Sequence, residues 1–327
     1  MKYKVLENNL AFIVDMNFEI LSVIEKEAFP NSDWLSSHNV YYIDKIKQLI
    51  NINSLEAQNV IKMFKKTKIP NYGRLYSFCE YIDDNFNFYN NYMKMLKETK
   101  KKNMYTNKKN LLYFEKIIKE FFKSIDYQKI YNNLIKDYEN YINEIKQWFC
   151  KDEYRDKIVN LYGKKLGDFV VICSFISGNF GGKDNGKIVF VRKFKILESN
   201  NIKLSMGNTL PFFFHEFSHP YISEIVSKYK KKLTNLKQLY NKLNLTNEMD
   251  PYKGASTFIN EVLTRANEFY LTKEYLPEGS IVYIQRQINY GIYFFKDLVN
   301  IIETKMENYE NYEQLFVKEI IPFINGL

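Results

Sequence analysis

The chain has 327 residues, 46% of them hydrophobic, with 27 Tyr, 26 Phe and a formal net charge of +9. That length and apolar content exclude a disordered or low-complexity protein, require no covalent staple and imply a well-packed, largely aromatic core. The positive balance is diffuse, spread through a chain rich in Lys, Asn, Ile and Tyr with no nucleic-acid-binding motif beside it, so no nucleic-acid partner is expected.

Residues 1–9 lead into an apolar stretch interrupted by Asp15 and Glu19, with no small-residue cleavage site. No run of about 18 apolar residues occurs, so neither a secretory signal nor a membrane span is expected, and a cytoplasmic location follows. Cys79, Cys150 and Cys173 are far apart and form no CxxC pair, which points to buried free thiols. From about residue 17 to 160 the pattern is mostly helical, as in Tyr113, Phe114, Ile117, Ile118, Phe121 and Phe122. Pro70-Asn-Tyr-Gly73 marks a turn, and the polar stretch Lys97–Asn110 reads as a solvated loop or helix end.

The texture changes near Leu161. Seven glycines, 163, 167, 178, 181, 182, 186 and 207, precede the next helical segment. Phe169–Ile176 and Lys187–Phe194 are apolar and rich in β-branched residues, so a β-hairpin is expected over 168–195, joined by the loop Ser177–Gly186. That loop lacks the Gly-Lys-Ser/Thr ending of a phosphate-binding loop. Helical periodicity returns with Asn208 or Thr209 as cap and Pro211 in the first turn. Helices are expected over about 211–245, 255–275 and 281–306. The chain thus reads as α+β and mainly helical, with a helical lobe over 1–160 and a mixed lobe over 161–327, compatible with one continuous domain.

Two of the three histidines fall in His215-Glu216-Phe217-Ser218-His219. At about 100° per residue, histidines four apart on a helix face the same way, and both can hold one Zn²⁺. Glu216 lies one residue round, where a general base belongs beside a Lewis acid. Phe212, Phe213, Phe214 and Phe217 make the segment so apolar that two histidines and a carboxylate would be costly there without a metal. Pro220 removes the hydrogen bond to the Glu216 carbonyl, so a kink or early end of the helix (211–229) is expected.

A catalytic zinc wants a third protein ligand. The metzincin continuation fails, because Ile222 and Ile225 stand where Gly and His are required, and the remaining histidine, His38, lies in a polar turn. A carboxylate is expected instead. Glu261, Arg265 and Glu268 form one polar line on the helix over 255–275; both carboxylates point the same way, but about 10.5 Å of rise separates them, so only one reaches the metal.

Here the sequence resembles the gluzincin class of zinc metallopeptidases, in which the two-histidine helix is followed by a second helix bearing a Glu ligand, often after Asn. Asn260-Glu261 matches, at 261 − 219 = 42 residues from the second histidine. Within the class the chain is most similar to an uncharacterised bacterial family of zincin-like proteins. The shared features are Phe18–Glu25, the Ser177–Gly181 loop, His215–Tyr221 and Asn260–Ala266. The resemblance implies a zincin-like catalytic lobe with its small sheet packed on the motif helix. It also implies Glu261 as third ligand, with Glu268 the alternative, and one zinc per chain.

The expected activity is metal-assisted hydrolysis of a peptide or protein substrate with Glu216 as general base. Arg265, Tyr221, Tyr252 and Tyr290 are the candidates for stabilising the oxyanion or supporting the ligands. The alternatives are a non-catalytic zinc-binding scaffold, and a zinc hydrolase of non-peptide amides or esters.

Overall fold

The protein is described by a computed structural model covering residues 2–8, 10–30, 40–67, 79, 108–164, 169–176, 181–183, 188–192, 206–246, 249, 252 and 254–327. The turn at Pro70–Gly73, His38 and residues 177–180 of the Gly-rich loop lie outside the described residues, as do residues 97–107 of the polar stretch.

The chain opens with two strands, β1 (Lys2–Glu7) and β2 (Leu10–Asp15), paired antiparallel. Leu10, Phe12 and Val14 alternate inward along β2, and the turn between the strands starts at Asn8, which takes a left-handed conformation (φ 50°) that asparagine tolerates. Asp15 then caps α1 (Met16–Ala28), its Oδ1 accepting from Asn17 N at 3.0 Å and Phe18 N at 3.3 Å. Among the described residues four more helices follow: α2 (Val40–Leu49), α3 (Leu55–Thr67), α4 (Lys108–Ser124) and α5 (Tyr127–Phe149). A sixth, α6 (Asp152–Tyr162), ends on left-handed Gly163.

β3 (Phe169–Ser174), β4 (Gly181–Lys183) and β5 (Ile188–Arg192) complete a five-stranded sheet in the order β1-β2-β3-β5-β4. The hairpin expected over 168–195 is corrected by this order. β3 and β5 pair in parallel, and the antiparallel partner of β5 is the short β4, cut from what read as loop. Parallel neighbours need a crossover, which the 13 residues between Ser174 and Ile188 supply through β4. β2 also pairs in parallel with β3, Leu10 facing Phe169, so one sheet draws strands from both sides of the change in texture near Leu161.

The core is aromatic, as composition implied. Phe175 stacks on Tyr42 (ring centroids 4.2 Å) and Tyr138 (4.1 Å). Beside it the buried Glu19 carboxylate accepts from Tyr138 Oη and, at 3.0 Å, from Phe175 N, tying α1 and α5 to the end of β3. Burial pushes that carboxyl up to about 7. Cys79 and Cys173 are buried free thiols; Cys150 is free but only half-buried.

The long helix α7 (Met206–Tyr229) carries the two-histidine motif. It starts two residues before Asn208, so neither Asn208 nor Thr209 caps it, and it runs on past Pro220 for nine more residues instead of ending there. Buried Tyr221, Ile222, Ile225 and Val226 hold the turns beyond Pro220 in the core, which offsets the lost backbone bond. A 3₁₀ turn (Lys230–Lys232) and α8 (Leu236–Lys242) follow, so the helix expected to 245 is broken.

α9 (Ala255–Thr272) packs on α7 more extensively than any other pair of described elements. The expected helix over 281–306 is two, α10 (Ser280–Asn289) and α11 (Phe295–Lys305). The break is at Gly291, whose φ of +96° disfavours a side chain and whose Cα faces the Asn244 carbonyl oxygen. Gly291→Ala is expected to destabilise the fold by more than about 1 kcal/mol, seen as a lowered denaturant midpoint at unchanged m-value. α12 (Tyr312–Leu315), a π-turn and α13 (Ile321–Gly326) close the chain. Among the described residues no helix is long and apolar enough to cross a membrane.

Candidate metal centre

Phe213 and Phe217, on the inner face of α7, fix the height and rotation of the motif. Their rings lie 4.5 Å apart, Phe217 stacks on Phe169 of β3 at 4.3 Å, and Phe149 of α5 closes on Phe213 at 5.1 Å. The sheet therefore packs on the motif helix, and the opposite side of α7 turns His215, Glu216 and His219 toward α9.

The two imidazole Nε2 atoms are 3.1 Å apart. Glu261 faces both, with Oε1 3.8 Å from His215 Nε2 and Oε2 3.7 Å from His219 Nε2. Two ligands held at about 2.0–2.1 Å from one zinc at a tetrahedral angle stand roughly 3.3–3.4 Å apart, so these separations suit a shared ion. Glu268 does not join this group. Its Oε2 accepts from the other nitrogen of His215, Nδ1, at 2.8 Å and from Tyr283 Oη at 2.9 Å. Arg265, on the same polar line of α9, pairs with Glu261.

The second shell fixes both tautomers. Thr264 Oγ1 donates to the Asn260 carbonyl at 2.8 Å, which leaves its oxygen to accept from His219 Nδ1 at 3.3 Å. With Nδ1–H engaged on both rings, both Nε2 lone pairs are free for a metal. Arg265 Nε donates to Glu261 Oε1 at 2.7 Å and Nη1 to Gln287 Oε1 at 2.8 Å, while its guanidinium lies over Tyr252 (5.4 Å) and Tyr290 (5.7 Å).

The electrostatics of the protein groups call for a positive charge between the imidazoles and Glu261. Burial pulls His215 down, but Glu261 and then Glu268 outweigh it and lift the ring to about 9. Burial and the His215 charge push His219 down to about 4. Burial also works against the charged form of Glu261, yet His215 and Arg265 hold its carboxyl below the ordinary range. The protein alone thus keeps one proton on His215, where a divalent cation would replace it. Glu216, buried, is pushed up to about 7, chiefly by burial, and among the described residues its Oε2 has no hydrogen-bond partner. A buried carboxylate beside two convergent imidazoles and a second carboxylate is a donor set able to hold a metal ion, and its nitrogen and oxygen donors are of the kind that zinc takes.

These groups open onto a cleft of about 320 Å³. Tyr252 and Tyr290 line it, with Arg265. Tyr221 does not: because α7 continues through Pro220, the ring is carried round to stack on Tyr162 at 4.6 Å. Sequence reasoning passed over Thr264, Tyr283 and Gln287. The signal for Thr264 was present, since Glu261, Thr264, Arg265 and Glu268 follow i, i+3, i+4, i+7 spacing; Tyr283 and Gln287 come from another helix and had none. Comparisons of the chain with models of protein families, with curated proteins and with solved structures each found no match.

Proposed function

We propose that this protein is a zinc-dependent metallohydrolase, acting as a peptidase, with His215, His219 and Glu261 as ligands and Glu216 as general base. The observation that carries the reading is the convergence of two free Nε2 lone pairs and a carboxylate beside buried Glu216, whose Oε2 has no partner. A structural zinc site has no use for that fourth group.

Zinc bound there supplies Lewis acidity to a substrate carbonyl and to water. Glu216 takes the proton of the attacking water and returns it to the leaving amine. Glu268 and Thr264 keep the two rings in their metal-binding tautomer, and Arg265 holds one oxygen of Glu261. Tyr252, its phenol raised by burial and by Glu261, stays protonated as a donor to the developing oxyanion, and Tyr290 lines the same cleft. The sheet packed on the motif helix, with β4 at one end of its order, supports a zincin-like lobe of gluzincin type that takes an extended peptide or protein chain.

The test is incubation of the zinc-loaded protein with a mixed peptide library, with and without chelator. Cleavage that stops on zinc removal and returns on zinc addition is expected. Zinc retention without cleavage of any peptide, while simple esters or amides are hydrolysed, would move the reading to a non-peptide hydrolase; inertness toward all of them leaves the scaffold.

A further inference from the structure

Two guanidinium groups line the cleft, Arg265 and Arg286. Arg265 is fully engaged by Glu261, Gln287 and two tyrosine rings. Arg286 is exposed, and among the described residues its side chain makes no hydrogen bond, ion pair or ring contact. It is not there as a counter-ion: three carboxylates, Glu216, Glu261 and Glu268, share the cleft, and it pairs with none of them.

Its position along α10 has a structural explanation, since a cation in the last turn of a helix is favoured by the backbone dipole. Its direction does not follow from that. Tyr283, Arg286, Gln287 and Tyr290 stand at i, i+3, i+4 and i+7, so the face of α10 that carries Arg286 is the face that supports the metal centre through Tyr283 and Gln287. An anionic group entering a cleft with three carboxylates meets repulsion unless a cation receives it. A free guanidinium offers paired donors that match a carboxylate.

We infer that Arg286 is the anchor for a carboxylate of the substrate, and that this site therefore selects acidic peptides. The inference rests on the peptidase reading for its substrate class. The carboxylate belongs either to the C-terminus of the peptide or to an Asp or Glu side chain within it.

The experiment measures binding apart from turnover. Zinc-loaded Glu216→Gln protein is titrated calorimetrically with three probes: acetyl-Ala-Ala-Phe with a free C-terminus, the same peptide amidated, and amidated acetyl-Ala-Asp-Phe. At least one carboxylate probe is expected to bind about tenfold or more tighter than the neutral one, and which of them does so identifies the source. Arg286→Gln in the same background should erase the difference and Arg286→Lys should restore part of it, with unchanged unfolding midpoints. Equal affinity for all three probes, no binding of any, or a preference that survives Arg286→Gln overturns the anchor. Wild-type turnover separates the two readings. Chelator-sensitive cleavage without a carboxylate preference removes only the anchor, and a carboxylate preference without cleavage removes only the hydrolase.

Discussion

Glu216→Gln is expected to lower kcat by about 10²–10⁴-fold while leaving zinc content and the unfolding midpoint near those of the wild type. The amide keeps the size of the side chain and loses its basicity. Glu216 is buried and its Oε2 has no hydrogen bond to lose. The facing Nε2 atoms of His215 and His219, with Glu261, form a set that does not need it. Kinetics on a peptide identified from the library, together with metal analysis of the dialysed proteins, decide the matter. Turnover at the wild-type rate would show that another group takes the proton.

The second large effect separates the two carboxylates of α9. Glu268→Ala removes a hydrogen-bond acceptor from His215 Nδ1 and should weaken zinc about 10–100-fold, the usual cost of a lost outer partner. Glu261→Ala removes a ligand and also leaves partly buried Arg265 without its counter-ion, so its loss should exceed about 100-fold. Glu261→Gln guards against reading instability as weak binding, because the amide oxygen still accepts from Arg265. Competition with a chelating dye gives both affinities, and a greater loss for Glu268→Ala would exchange the two roles.

What could be read from the sequence was what depends on short spacing. His215, Glu216 and His219 are neighbours on one helix, so their convergence follows from helical rotation, and the Glu261 stripe on α9 follows in the same way. The aromatic core followed from composition. Strand pairing did not, because a parallel partner leaves no local mark: β3 and β5 looked like a hairpin only because they are near in sequence. The β1–β2 hairpin did leave one, in the alternation Leu10, Phe12, Val14 that follows Asn8. Tyr221 was misplaced through Pro220, whose local cost is outweighed by burial that only the tertiary structure reveals. Arg286 and Tyr283 reach the cleft from α10, a helix separate from the two that carry the motif and Glu261, a long-range fit that no periodicity records.

The pairing of Leu10 with Phe169 also governs how the molecule must assemble. β3 supplies Phe169, the ring on which the motif helix rests, yet its neighbour on one side is made at the start of the chain and the helices α1 to α6 come between. Closing so long a loop is entropically uphill before any contact rewards it, so the pairing of β2 with β3 is expected to be slow, and the motif helix rests on a strand whose own partner lies far away in the chain. A change in β2 is therefore expected to reach the motif helix through β3 and Phe169, across about 200 residues of sequence.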